Sequence, residues 1–106
     1  MVYVTLMVKD YPDEGVTLDD IKPIIEQIRK YSSVMIIKAD LQGAGVVSIE
    51  RFRMIVSIVR EVVEYTRNDD LLRRIEFLNT GFMFRMLYKP ISMAIPKYFR
   101  DMVVFL

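Results

Sequence analysis

Val34-Met35-Ile36-Ile37, running into Lys38-Ala39-Asp40-Leu41-Gln42-Gly43-Ala44-Gly45, is the stretch on which the fold turns. Four successive apolar residues without polar alternation read as a strand covered on both faces, the habit of central strands in parallel sheets. The polar, glycine-bearing run from Asp40 onward closes it. A strand of this kind requires neighbours to pair with and helices to cover it.

Both are legible on either side. Upstream, Val2-Tyr3-Val4-Thr5-Leu6-Met7-Val8 is β-branched and aromatic and stops at the turn-rich residues 9–15, which include Pro12 and Gly15. Thr17-Leu18-Asp19-Asp20 then has the form of a capping box with acids in the first helical turn. Leu18, Ile21, Ile24, Ile25 and Ile28 recur at helical spacing to about Tyr31, and Pro23 falls near the start, where a missing N–H costs least. Downstream, Ser48-Ile49-Glu50 opens a long amphipathic helix whose stripe is Phe52, Ile55, Val56, Val59, Val62 and Val63. Residues 66–70 form a polar loop, residues 74–78 a third strand and residues 102–106 a fourth. The order βαβαβαβ predicts an α/β fold with a mostly parallel sheet and right-handed crossovers.

The chain has 106 residues, the size of one core, so it is a single domain. With 53% hydrophobic residues and a net charge of +1 it lies far from the composition of disordered chains. The near-neutral balance also argues against a bulk-electrostatic nucleic-acid binder, and no nucleic-acid partner is expected. Cysteine and histidine are absent, which removes disulfides, cysteine-based zinc sites and imidazole triads. No apolar run approaches the roughly 18 residues of a membrane span.

Charge is unevenly placed: residues 1–70 carry a net −3 and residues 71–106 a net +4. The C-terminal third is therefore basic, aromatic and rich in methionine, a mixture suited to an anionic membrane surface. Gly43 and Gly45 between a strand and a helix invite a phosphate-loop reading, but the third glycine and the Walker lysine are missing. Asp19-Asp20 and Asp69-Asp70 read as a helix cap and a solvated loop rather than as metal ligands. No activated nucleophile or acid–base pair is visible, so a non-enzyme without cofactor or metal is expected.

Residues 82–95, Phe82-Met83-Phe84-Arg85-Met86-Leu87-Tyr88-Lys89-Pro90-Ile91-Ser92-Met93-Ala94-Ile95, are apolar on nearly every side of a helix. Such a helix is either buried or faces something apolar that is not its own chain, and a small domain has little interior to hide it. Methionine serves equally as core filler and as lining of an adaptable ligand pocket.

The order of these segments resembles the lipid-binding domain of the CRAL-TRIO family, which includes phosphatidylinositol, retinal and tocopherol transfer proteins. The likeness rests on Asp40-Leu41-Gln42-Gly43 after a hydrophobic strand, on Asn79-Thr80-Gly81 at the end of the next strand followed by residues 82–91, and on the closing Phe99-Arg100-Asp101-Met102-Val103-Val104-Phe105-Leu106. It implies non-enzymatic binding and transfer of a lipid or other small hydrophobic ligand in an apolar pocket closed by a gate helix. Phe82, Phe84, Leu87, Tyr88, Ile91 and Ile95 would be gate and pocket wall, and Arg85, Lys89, Lys97 and Arg100 would meet membrane or headgroup. It further implies a cytoplasmic protein peripheral to membranes.

Asn79-Thr80-Gly81 departs from the family's Asn-Ala-Pro and frees the backbone there. The helical N-terminal bundle and the C-terminal completion of the pocket are absent, so apolar surface is expected to be covered by a second copy of the chain, with Phe84, Leu87, Ile91 and Phe105 near that interface, or by part of a larger chain. A BCH-type module binding small GTPases or their regulators, which resembles the same family, is the alternative function.

Overall fold

In the computed structural model, which describes residues 1–106, four strands lie side by side in chain order and all parallel: β1 (Val2–Met7), β2 (Met35–Asp40), β3 (Leu72–Leu78) and β4 (Val103–Phe105). The connections are α1 (Leu18–Lys30), α2 (Ile49–Thr66), and α3 (Phe82–Ser92) followed by the short α4 (Lys97–Arg100). The α/β class and the parallel sheet expected from the sequence are thus present. The third strand starts two residues earlier than its apolar run suggests, because Leu72 pairs with Met35 across an irregularity in the register. The α4 turn was not anticipated, since four residues are too few to establish a helical period.

Strand order equal to chain order has a consequence for layering. Each right-handed crossover steps in the same direction, so every helix falls on the same face of the sheet. Burial agrees. Val4, Leu6, Met35, Ile37, Ala39, Ile75 and Phe77 join Ile21, Ile25, Ile28, Phe52, Ile55, Val59, Phe84 and Phe99 in one core cluster. Ile36 is only 2% exposed yet stands outside that cluster.

The strand read as covered on both faces is indeed buried at Met35, Ile36 and Ile37, but helices cover only one of those faces. On the open face Ile36 has Tyr3 and Arg74 as its cross-strand neighbours, and long side chains do the covering. Lys38 lies over the Tyr3 ring at 4.3 Å, and Arg74 pairs with Glu76 at 2.6 Å. Aliphatic stems shielding apolar surface while their charged heads stay wet give a solvated face without a second helical layer.

Local chemistry sets the helix ends. Ser48 caps α2, its Oγ accepting from the Arg51 N–H at 3.1 Å. At α1 the Asp20 carboxylate accepts from the Thr17 N–H at 2.8 Å and from the Thr17 hydroxyl at 2.9 Å. These bonds, the backbone one first, hold the Asp20 carboxyl below its ordinary pKa. A carboxyl whose folded pKa lies below its unfolded value of about 3.9 adds stability above that pH and loses it as pH falls through the folded value. Asp20→Asn is accordingly expected to be less stable than the wild type at neutral pH, with the gap closing below about pH 4. Urea titrations at pH 7 and pH 3 check this, and an equal gap at both would refute it.

At the far end of the helical layer, Arg29 joins α1 to the loop after α2. It pairs with Asp69 and Glu26, donates to the Tyr65 carbonyl at 3.0 Å and lies 4.8 Å from the Tyr65 ring. This clamp stands at the amino-terminal edge of the sheet and leaves the carboxyl edge free for other work.

Candidate functional site

The unbroken strand order leaves no switch point of the kind at which open α/β sheets hold their ligands, but the loops after β2 and β3 and the start of α3 meet at the carboxyl edge of the sheet. In this chain β2 and β3 end in Asp40 and Leu78, which are register partners. Asp40 Oδ1 accepts from the Gln42 N–H at 2.9 Å and from Asn79 Nδ2 at 2.8 Å. One carboxylate thereby staples the loop after β2 to the loop after β3. Asn79 takes φ +56, a left-handed conformation that asparagine tolerates better than most residues. The Asp and Asn of the sequence motif thus have structural work in this chain, as fixed points of the two loops.

Residues 41–48 cross the mouth between those loops. Leu41 and Ala44 point into the core, while Val46 is 88% exposed. Arg51 holds the loop from below, donating to the Ala44 carbonyl at 3.1 Å and to the Tyr11 carbonyl at 2.7 Å. Opposite stands the first turn of α3.

The inner side of α3 is an aromatic stack. Phe84 meets Phe52 edge-on at 5.0 Å and Phe77 at 5.1 Å; Tyr88 meets Phe77 at 6.0 Å and Phe105 at 5.1 Å. Spacing by four residues puts Phe84 and Tyr88 on one line, with Leu87 and Ile91 half-buried beside them. Its outer side keeps Phe82 76% and Met83 61% exposed, together with Met86, Arg85 and Lys89. Between this turn and the 41–48 loop lies a crevice of about 240 Å³ lined by Leu41, Val46, Val47, Asn79, Phe82, Met83 and Phe84, among others. Drug-sized sites run to about 300–1,000 Å³, so the crevice admits one end of an apolar chain.

The residues expected as gate and wall fall into three sets. Phe84, Tyr88 and Ile95 are core residues, with Ile95 arriving from the loop after α3. Leu87 and Ile91 form the flank, and Phe82 alone is free at the mouth. Phe84 at 2% exposure has no surface to give to a second copy, so the expected interface keeps only Leu87, Ile91 and Phe105 as partly accessible members.

The four cations are not gathered. Arg85 donates from Nε to the Thr80 hydroxyl at 3.2 Å and lies 5.6 Å from the Phe105 ring; Lys97 pairs with Asp101 at 3.6 Å; Lys89 and Arg100 are exposed. Sequence reasoning missed the contribution of Val46 and Val47. The signal was present in the apolar residues that directly follow Gly45 and precede the helix cap.

One polar atom in the stack is anomalous. The Tyr88 hydroxyl is buried and has no hydrogen-bond partner. An unpaired buried donor of this kind costs about 1–3 kcal/mol. Burial pushes the Tyr88 pKa up, with the charge of Arg100 opposing that shift.

A larger cavity, about 450 Å³, lies between the residues 11–19 and α2, with Asp13, Glu14, Asp19 and Glu61 among its lining and no basic residue. No group of three or more acidic side chains is placed to hold a metal ion, and no helix is long and apolar enough to cross a membrane. No protein-family model matches the chain, and neither a curated protein nor a solved structure matches it.

Proposed function

We propose that this chain is a CRAL-TRIO-like domain that binds a lipid or other hydrophobic ligand without catalysis, using α3 as the movable wall of the site and as its contact with anionic membranes. The observation that carries this reading is the outer side of α3. Phe82 and Met83 stand exposed at the lip of an apolar crevice, and Met86, Arg85 and Lys89 are exposed further along the same helix. Apolar side chains that insert among acyl chains, next to cations that meet lipid phosphates, are the two elements of a peripheral membrane contact.

Two further features support a movable α3. A Cβ at Gly81 would meet no atom within 4 Å, so the residue just before the helix is free of packing. Pro90 lies within the helix and removes an intrahelical bond in its last turn. Burying an acyl chain is worth about 0.8 kcal/mol per CH₂, so a ligand that replaces the aromatic stack supplies its own driving force.

Vesicle co-sedimentation tests the reading. The wild type is expected to bind phosphatidylserine-containing vesicles. Met83→Asp, which loses the about 1.5–3 kcal/mol of one buried apolar side chain, is expected to weaken binding by at least about tenfold. The pair Arg85→Gln and Lys89→Gln, at about 1 kcal/mol per cation, is expected to weaken binding by about thirtyfold on anionic vesicles and hardly at all on neutral ones. Wild-type protein that ignores vesicles and carries no co-purified lipid in native mass spectrometry would overturn the proposal in favour of a protein-binding role for the same surface.

A further inference from the structure

We infer that β1 and the outer flank of α1 form a docking surface for a second copy of this chain, the two sheets joining edge to edge about a two-fold axis beside β1. The inference stands apart from the lipid-binding reading, because β1 and β4 are opposite edges of the sheet and α3 packs against β4.

The backbone of β1 comes first. The Val2 N–H donates to the Val34 carbonyl at 2.8 Å, on the β2 side, and in a strand the bonding direction alternates from residue to residue. Val2, Val4 and Leu6 therefore turn their N–H and C=O groups to β2, and Tyr3, Thr5 and Met7 turn theirs outward. Native edge strands are usually blunted by a lysine, a proline, a bulge, brevity or a covering loop. None of these protects β1. Its six residues, Val-Tyr-Val-Thr-Leu-Met, hold no charge and no proline, its register with β2 is unbroken, and no loop backbone bonds to Tyr3, Thr5 or Met7. The opposite edge, β4, has only three residues.

The helix above this edge is unfinished in the same way. Ile21, Ile25 and Ile28 of α1 point into the core, while Lys22, Glu26 and Arg29 face α2 and meet Tyr65 there. Helical spacing leaves Ile24 and Tyr31 on the remaining flank, on the β1 side, and they are 39% and 73% exposed. Two chains that pair β1 antiparallel about a two-fold axis also run α1 antiparallel to its copy. Ile24 is the middle residue of the thirteen in α1, so it faces its own counterpart. The same arrangement sets the acidic first turn of one helix, Asp19 and Asp20, beside the basic last turn of the other, Arg29 and Lys30. Charge complementarity between the two ends of one helix, beside a strand edge that is its own hydrogen-bonding complement, commits this surface to a second copy.

Sedimentation of the wild-type chain at about 10 μM is expected to give a species of twice 12.5 kDa. Ile24→Lys, which brings two like charges together at the axis, is expected to raise the dissociation constant at least about a hundredfold, because a contact at a two-fold is counted twice. Thr5→Pro removes an outward N–H without taking a bond from the ladder to β2, and is expected to dissociate the dimer as well. Leu87→Asp, at the far edge, is expected to leave it intact. Hydrogen exchange of the wild type gives a readout that no folding defect imitates: the Tyr3 and Thr5 amides are expected to be protected in the dimer and to lose that protection on dilution. A wild-type chain that stays monomeric up to about 100 μM would overturn the inference and leave lipid binding standing. So would a dimer that survives either Ile24→Lys or Thr5→Pro, one that Leu87→Asp dissociates, or one whose Tyr3 and Thr5 amides exchange freely.

Discussion

Phe84→Ala is expected to remove about 3–5 kcal/mol of stability, the usual cost of deleting a fully buried aromatic side chain together with the cavity it leaves. The site offers little relief by collapse. Phe84 is 2% exposed and wedged between Phe52 of α2 and Phe77 of β3, with Phe105 of β4 at 6.3 Å, so its loss loosens three elements at once. Domains of this size have about 5–15 kcal/mol in all, and each kilocalorie shifts the melting temperature by about 4–8 °C. A fall of about 15–30 °C in Tm follows, read by calorimetry with a urea titration as the independent measure. Phe82→Ala, two residues away and largely exposed, is expected to change stability by no more than about 0.5 kcal/mol. A loss below about 1.5 kcal/mol for Phe84→Ala would mean that α3 spends much of its time undocked. Ligand should then restore the difference by mass action.

The second large effect contrasts two adjacent isoleucines. Ile37→Ala is expected to cost about 3–4 kcal/mol and Ile36→Ala about 1–2 kcal/mol, although the two side chains are almost equally buried at 0% and 2%. Ile37 lies under the helices, within the shared core cluster, where neighbouring side chains are held from every direction. Ile36 lies on the open face, under Tyr3 and Arg74, whose flexible side chains can sink into the space its loss would open. The cost of a large-to-small change depends on how well the site collapses, so equal burial does not imply equal loss. Urea midpoints for both variants decide the matter, and equal losses would show that the second face is as rigidly covered as the first.

That contrast also marks where sequence reading ends. The period and composition of residues 2–8, 18–31, 49–66 and 74–78 determine which stretches become strands and helices. They do so because an amphipathic face must recur at 3.6 or 2 residues to be buried at all. Turn and cap residues place the boundaries to within a residue or two, as Thr17 and Ser48 do for α1 and α2. The run Val34-Met35-Ile36-Ile37 announced a buried strand correctly, but burial under helices and burial under the stems of Tyr3, Lys38 and Arg74 leave the same apolar signature. Only the strand order distinguishes them.

Residues 82–95 pose the same limit more sharply. Their composition makes nearly every side of the helix apolar, so the sequence alone leaves open which side turns inward. The answer came from the shape of the space above β3 and β4, which accepts Phe84 and Tyr88 beside Phe52, Phe77 and Phe105 and leaves Phe82, Met83 and Met86 outside. The sequence determined the elements, the class of fold and the presence of an apolar helix with basic residues. Tertiary structure alone decided that one sheet face is open, that Asp40 ties Asn79 to its own loop, and that the Tyr88 hydroxyl is buried without a partner. The physical reason is that periodicity is local, whereas satisfying a hydrogen bond or filling a cavity depends on residues about 20 to 50 positions away, as the pairs Asp40–Asn79 and Phe52–Phe84 illustrate.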